Sequence, residues 1–109
     1  MKLPTVGELR HRLRLESAMS SGDGGGGSDV IWTPVAELWA CVRAVSGSER
    51  LTAEALAGRG MHEVWVRYRA DVAPALRFVA GSRVLDIRAA LDPDGRKRWL
   101  RCVCEERLQ

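Results

Sequence analysis

The residues best suited to hold a phosphate group lie in the most glycine-rich stretch of the sequence. Gly22, Gly24 and Gly27 satisfy a G-x-G-x-x-G spacing. That spacing binds nucleotides where it joins a strand to the N-terminus of a helix, because the amide N–H groups there face the phosphate. The residues that follow, 28–34, show no helical period. We therefore interpret the stretch as a loop and predict no nucleotide cofactor.

Three cysteines and two histidines are the residues that could bind a metal ion. Cys102 and Cys104 fall on one face of a predicted strand, and Cys41 lies far away in sequence. Zinc sites favour spacers of two to four residues between paired ligands. We therefore interpret the three thiols as small buried hydrophobic side chains and predict no metal site. Their odd number also argues against a disulfide framework.

No combination of acid, base and nucleophile emerges from the remaining polar residues. His11 and His62 each lie beside a predicted strand, away from any recognisable nucleophile motif. Asp92 and Asp94 belong to the turn sequence Asp-Pro-Asp-Gly, where aspartates are expected for turn formation alone. The sequence therefore predicts a protein that is not an enzyme.

Length and charge narrow the class of protein further. The chain has 109 residues, which predicts a single domain over residues 1–109. Its 17 Lys and Arg residues against 14 Asp and Glu residues leave a net charge of +3. That balance is too even for a protein that coats DNA. No apolar run is long enough to cross a membrane, and the N-terminus lacks a signal-peptide core, so we expect a protein made in the cytoplasm with no membrane partner.

Alternation of apolar and polar residues predicts about six strands. They are residues 11–16, 35–45, 62–70, 76–79, 84–90 and 97–104. Residues 49–57 predict one short helix, since Ser48 is a suitable N-cap and Gly58 can end the helix in a left-handed conformation. The pattern indicates a mainly β fold, a small antiparallel β-barrel with one short α-helix and a long Gly-rich loop.

The Gly-rich loop spans residues 17–29 in this prediction. It contains four consecutive glycines and several serines, and no hydrophobic period survives in it. Glycine loses the most conformational entropy on ordering, so we expect a flexible loop that can reach a neighbouring molecule.

Three of the four tryptophans alternate onto strand faces that also carry arginine. Trp65 shares its face with Arg67 and Arg69, and Trp39 and Trp99 also lie opposite the apolar faces of their strands. Trp and Arg are enriched at protein–protein hot spots, so these five residues are candidates for a subunit interface. Two alternatives remain open: the helix or the N-terminal segment covers the tryptophans within one chain, or the face binds single-stranded nucleic acid, as in oligonucleotide-binding barrels.

The order of residues along the chain also resembles a known family, the phage head–tail joining proteins, which are also called head-closure or stopper proteins. The resemblance covers about residues 7–105. One departure is Leu85, where the family often has an aromatic residue. The matching features are Gly7-x-Leu9-Arg10-x-Arg12, Trp32 after the Gly-rich loop, Trp39-Ala40, Glu49, Val66-Arg67-Tyr68-Arg69, Arg77, Ile87, Trp99-Leu100 and Cys104-Glu105.

The resemblance implies a small β-barrel that forms a ring in the neck of a tailed phage or a gene transfer agent. Such a ring lies between a portal-side adaptor and a tail terminator, and double-stranded DNA passes through it. A hexamer is expected for a stopper or terminator and a dodecamer for an adaptor, and these three positions stay open. In this setting Trp65→Ala is expected to weaken ring formation more than folding. Candidates for lining the channel or clasping a neighbour are Ser20, Gly22, Asp23, Gly24, Gly25, Gly26, Gly27 and Ser28.

Overall fold

The chain forms a closed antiparallel barrel in a computed structural model that describes residues 3–22, 28–45 and 60–107. The strands follow one another around the barrel in the order β1-β2-β3-β6-β5-β4. The predicted barrel of about six strands is confirmed, whereas the predicted helix at residues 49–57 lies outside the described residues. The described elements are a 3-10 helix (Val6–Glu8), β1 (His11–Gly22), β2 (Ser28–Ala44), β3 (Met61–Arg67), β4 (Arg77–Ala80), β5 (Arg83–Leu91) and β6 (Trp99–Glu106).

The barrel interior contains the apolar side chains of alternate strand positions. Successive side chains of a strand point to opposite faces, so every second residue reaches the interior. Cys102 and Cys104 are among them, as buried hydrophobic side chains in the way the sequence predicts. The interior cluster is formed by Leu13, Leu15, Ala40, Val64, Val66, Val72, Phe78, Leu85, Ile87, Leu100, Cys102 and Cys104.

A second, smaller hydrophobic cluster lies on the outer face of the barrel. Cys41, Trp65 and Trp99 form it, and Leu3 and Leu9 of the N-terminal segment pack against them. Trp65 is 0% exposed and Trp99 is 6% exposed. This corrects the expectation that both rings lie on the surface. The N-terminal segment covers them, so the first of the two alternatives considered from the sequence holds for these two tryptophans.

The N-terminal segment is itself fastened to the barrel by polar contacts. Glu8 closes a capping box with Thr5, whose backbone N–H donates to the Glu8 carboxylate at 3.0 Å. The same carboxylate accepts a hydrogen bond from Arg43 of β2 at 3.2 Å. The pKa of Glu8 is lowered by the Thr5 backbone hydrogen bond first and by Arg43 second. These contacts hold Leu9 over the outer cluster.

Strands β1 and β2 extend well beyond the barrel. Only residues 14–16 of β1 pair with β4, and only residues 40–44 of β2 pair with β3. From Ser17, paired with Thr33, to Gly22, paired with Ser28, the two strands pair with each other alone. We call this two-stranded extension, residues 17–22 and 28–33, the ribbon.

The ribbon corrects the predicted loop at residues 17–29. Residues 17–22 and 28–29 belong to strands, and residues 23–27 lie outside the described part of the chain. The register already set in the barrel continues outward, so Gly and Ser residues with weak intrinsic strand preference are held by pairing. The register shifts at Leu15/Glu16, where Val35 is the extra residue of a β-bulge. Proline lacks a backbone N–H for the strand ladder, and Pro34 is tolerated because it lies beside this bulge, where the regular ladder is interrupted.

Two turns close the other hairpins in the way their sequences indicate. Gly81 begins the two-residue turn between β4 and β5 with a φ of +59°, a value that favours glycine. Between β5 and β6, the Asp92 carboxylate accepts hydrogen bonds from the backbone N–H groups of Gly95 and Lys97 at 3.0 and 2.9 Å. The aspartate therefore has the structural role expected from the turn sequence.

Candidate functional site: an exposed ribbon and an apolar groove

The ribbon exposes large apolar side chains to solvent. Met19, Val30 and Ile31 are each more than half exposed. Among the described strands, only β1 and β2 take part in the ribbon, so both of its outer edges present unpaired backbone N–H and C=O groups. A two-stranded hairpin has little stability of its own in water. These features are those of a segment that contacts another molecule.

Trp32 ties the base of the ribbon to the barrel. The Cζ atom of Arg77 lies 3.9 Å from the centre of the Trp32 ring, and that of Arg107 lies 5.9 Å from it. Arg107 is in turn paired with Asp86 of β5 at 2.8 Å. Cation–π contacts of this kind contribute about 1 kcal/mol each. Trp32 therefore fixes the direction in which the ribbon leaves the barrel.

A buried carboxylate reinforces the same junction. Glu16 is 5% exposed, and its carboxylate accepts hydrogen bonds from Arg14 at 2.7 Å and from Arg77 at 2.8 Å. Burial alone would raise the pKa of Glu16, but the hydrogen bonds from Arg77 and Arg14 outweigh burial and lower it. Glu16 is thus held ionised at the point where the ribbon begins.

An apolar groove lies where β2 and the segment after β3 diverge. Its volume is about 600 Å³. β3 ends at Arg67, and the residues of β2 that precede Ala40 have no partner in β3. The groove forms in the space that this leaves between the two chain segments. We call this feature the groove. Its apolar lining consists of Val6, Leu9, Leu38, Trp39 and Tyr68.

Charged residues surround the groove, and most of them are already paired. Arg12 bonds to Glu37 at 2.8 Å, and its Cζ atom lies 5.2 Å from the centre of the half-exposed Trp39 ring. Arg69 donates to both carboxylate oxygens of Asp71 through its Nε and Nη2 atoms, each at 3.0 Å. Arg67 has no carboxylate partner among the described residues and lies over Trp99, 4.9 Å from the ring centre. Within the described part of the chain, the groove therefore carries one exposed cation without a counter-ion.

The structure brings together three of the five interface candidates. Trp39, Arg67 and Arg69 all line the groove, whereas Trp65 and Trp99 lie beneath the surface. Trp65 donates its indole N–H to a buried carboxylate, Glu63, at 3.0 Å, a contact that belongs to the fold.

The loop candidates divide between the ribbon and the undescribed tip. Ser20, Gly22 and Ser28 lie in the ribbon, and Asp23, Gly24, Gly25, Gly26 and Gly27 lie outside the described residues. Sequence analysis missed the ribbon's apolar residues and Trp32. The signal that indicates them is the run Val30-Ile31-Trp32 directly after the glycines.

The ribbon and the groove are separate surfaces of one chain. Arg12 pairs with Trp39 at the groove, and Met19 pairs with Ile31 in the ribbon. Met19 lies seven positions after Arg12 along β1, which corresponds to about 24 Å at the rise of an extended strand. The described chain is elongated accordingly, with extents of 48 × 30 × 26 Å. A chain with two distant contact surfaces is suited to repeated head-to-tail assembly.

Most arginines of the described chain are neutralised by carboxylates. The guanidinium groups of ten of them lie within 4 Å of an Asp or Glu oxygen. Within the described ranges, Arg10, Arg67 and Arg96 are the exceptions. The cationic surface available for nucleic acid is therefore small, in agreement with the balanced charge of the sequence.

The thiols lie on both sides of the sheet. Cys102 and Cys104 face the interior and Cys41 belongs to the outer cluster, and all three are free and buried. Burial raises the pKa of Cys102 to about 12. The described residues contain no group of three or more His, Cys, Asp or Glu arranged to hold a metal ion. The same residues include no helix long and apolar enough to span a membrane.

The barrel, its protruding ribbon and its groove define a small β-barrel interaction protein. Comparison with protein families makes this class specific, since residues 4–107 match the model of the phage head completion proteins. The chain belongs to the phage head completion protein family, and the resemblance found in its sequence is confirmed. It is a structural protein of a phage-type particle.

Two solved structures are similar to the chain over nearly its whole length. One is a chain from the virion of a native gene transfer agent particle, with 32% identity and a TM-score of 0.66, covering 92% of this chain and 96% of that one. The other is the solution structure of protein SF1141 from Shigella flexneri 2a, with 30% identity and a TM-score of 0.70, covering 94% and 96%. Among proteins with curated descriptions, none matches the sequence significantly.

Proposed function

We propose that the chain is one subunit of a ring in the neck of a tailed phage or gene transfer agent particle. The ring connects the head side to the tail and provides a conduit or stopper for double-stranded DNA. One observation carries the proposal beyond family membership: each chain presents two different contact surfaces, the ribbon and the groove, about 24 Å apart. Subunits that join head to tail through two different surfaces form a closed ring when the rotation from one subunit to the next is a whole fraction of 360°.

The resemblance to head–tail joining proteins supports a position in the neck of the particle. We infer a hexamer at the stopper position, between a portal-side adaptor and a tail terminator, with each subunit forming one domain from residues 1–109. An adaptor dodecamer and a terminator ring are the alternatives. Counting the rotational symmetry of the neck by electron microscopy of particles separates a twelve-fold adaptor from the six-fold rings.

The paired arginines favour a conduit over a protein that grips DNA. Passage of double-stranded DNA requires a wall without a strong excess of unpaired cations, because each neutralised phosphate adds salt-dependent affinity. Ten arginines of the described residues are already paired within the chain.

The same contacts argue against the alternative of a single-strand-binding barrel. Such barrels stack bases on exposed aromatic rings beside free cations. Trp65 and Trp99 are buried, and Arg69 is paired with Asp71. A binding assay with oligonucleotides at increasing salt separates the two functions, since a single-strand binder shows a steep loss of affinity.

Deleting residues 24–27 tests the proposed function directly. The variant is expected to keep the melting temperature of the parent chain, because the deletion lies outside the barrel strands. Particles assembled with it are expected to lose tails or packaged DNA. Arg96→Ala, an exposed change in the β5–β6 turn, is the control. Normal yields of full, tailed particles from the deletion variant would contradict the proposal.

A further inference from the structure

We propose that the ribbon of each subunit docks in the groove of the next copy of the same chain. The inference rests on the proposed ring and names the contact that builds it. Its partner is a second copy of this chain, and both docking surfaces are built from described residues of the fold.

The distance between the two surfaces makes the contact intermolecular. Met19 and Ile31 pair with each other in the ribbon, about 24 Å along the strands from Arg12 and Trp39. The ribbon leaves the barrel in a direction held by Trp32 and Arg77, so it projects away from its own groove. The groove of a second copy can bind the ribbon. Because this contact joins two different surfaces, it is heterologous and can repeat around a ring.

The two surfaces match in their apolar chemistry. Met19 and Ile31 share one face of the ribbon, Val30 lies on the other face, and all three are exposed. The groove offers Leu38, Trp39 and Tyr68. Covering Met19 and Ile31 removes apolar surface from water, which stabilises the contact. Trp39 supplies a large ring of the type enriched at the centres of interfaces.

The two surfaces also match in charge. Residues 17–36 contain Asp23 and Asp29 and no Lys, Arg or His, although the whole chain has a net charge of +3. The groove carries Arg67, a cation without a carboxylate partner among the described residues. The net negative charge of residues 17–36 therefore complements the cation at the groove. Pairing of two ribbons edge to edge is disfavoured, because it brings like charges together.

Cross-linking in assembled particles tests the contact. The double variant Val30→Cys/Val6→Cys places one thiol on the ribbon and one at the groove, and both residues are exposed in the free chain. A short bismaleimide is expected to give a ladder of covalent multimers up to the subunit number of the ring. The three native thiols are expected not to react with the bismaleimide, because they are buried. Each single variant, treated in the same way, is the control and should give no ladder.

Three outcomes of this experiment would overturn the inference. Dimers from Val30→Cys alone would show ribbon-to-ribbon pairing. Absence of a ladder from the double variant, in particles whose neck contains the ring, would show that the ribbon lies elsewhere. Cross-links to a different particle protein instead of a ladder would assign the groove to that protein. If the neck of the particle does not contain this chain, the proposed function itself is wrong. That result differs from a neck that contains the chain but gives no ladder, which contradicts only the contact between ribbon and groove.

Discussion

The guanidinium carbon of Arg77 lies 3.9 Å from the centre of the Trp32 ring, and the same guanidinium donates to the buried carboxylate of Glu16 at 2.8 Å. One arginine of β4 therefore joins both strands of the β1–β2 hairpin at the point where they leave the barrel. The ribbon is oriented by contacts that lie within the barrel wall, so its direction can be altered without touching its own sequence.

Replacing Trp32 by alanine is expected to separate folding from assembly. The loss of its contacts with Arg77 and Arg107 should cost about 1–2 kcal/mol of unfolding free energy, and the barrel core stays intact. Particle assembly should fall much more, because the ribbon loses its fixed direction. Thermal denaturation and particle counts measure the two effects. Trp32→Phe keeps an aromatic face for Arg77 and should retain more assembly; equal assembly by parent and alanine variant would refute this role.

Removing the charge of Glu16 is expected to change how stability depends on pH. The pKa of Glu16 in the folded chain lies below the ordinary 4.5, so above about pH 4.5 its ionised form stabilises the fold. This stabilisation is lost as the pH falls through the lowered pKa. Glu16→Gln should lower the unfolding free energy by about 2 kcal/mol at pH 7 and flatten its decrease below pH 4.5.

The control for Glu16 is an exposed ion pair. Glu37→Gln breaks a contact with Arg12 in which both side chains are more than half exposed. It should change stability by less than about 1 kcal/mol. Denaturant titrations between pH 3 and 7 measure both variants, and identical curves for Glu16→Gln and Glu37→Gln would contradict the assignment.

Trp65 and Trp39 are expected to respond in opposite ways to replacement by alanine. Trp65→Ala empties a fully buried site and should cost about 3–5 kcal/mol of unfolding free energy. This reverses the expectation from sequence that Trp65 matters more for the ring than for folding. Trp39→Ala should change the melting temperature little and reduce assembly, because its ring lies in the groove. A stable Trp65→Ala variant would show that the outer cluster contributes little.

The three cysteines are expected to be inert until the chain unfolds. Burial raises the pKa of Cys102 to about 12, and it raises that of Cys104 as well, with further contributions from Cys102 and Asp86. Thiolate is the reactive form, so a thiol reagent at pH 8 should modify neither residue in the native protein. In denaturant, all three thiols should react. Rapid labelling of the native chain would indicate that the barrel opens readily.

The strands of the barrel were predictable because their side chains alternate. Leu13 with Leu15, and Cys102 with Cys104, repeat at a spacing of two, and this period identifies the buried face of a strand. The ribbon was not predictable in this way. Its residues are held by the register of β1 and β2 within the barrel, which is a long-range property that glycine and serine do not reveal.

The candidate site was predictable only in its residue types. Trp39, Arg67 and Arg69 were candidates for an interface, and the structure brings them together at the groove. The burial of Trp65 and Trp99 depends on the N-terminal segment folding over the outer face. Alternation along a strand tells which face a residue occupies, but the covering of that face is decided by a distant part of the chain.

β1 and β2 run from the barrel into the ribbon without a break, so the length of the ribbon depends on the number of residues in these two strands. Adding two residues to each strand beyond the bulge would lengthen the ribbon by about 7 Å and keep the same side chains on each side. Adding one residue to each would turn Met19 and Ile31 to the opposite side. The reach of the ribbon can therefore be adjusted in two-residue steps, while the barrel that supports it keeps the same interior.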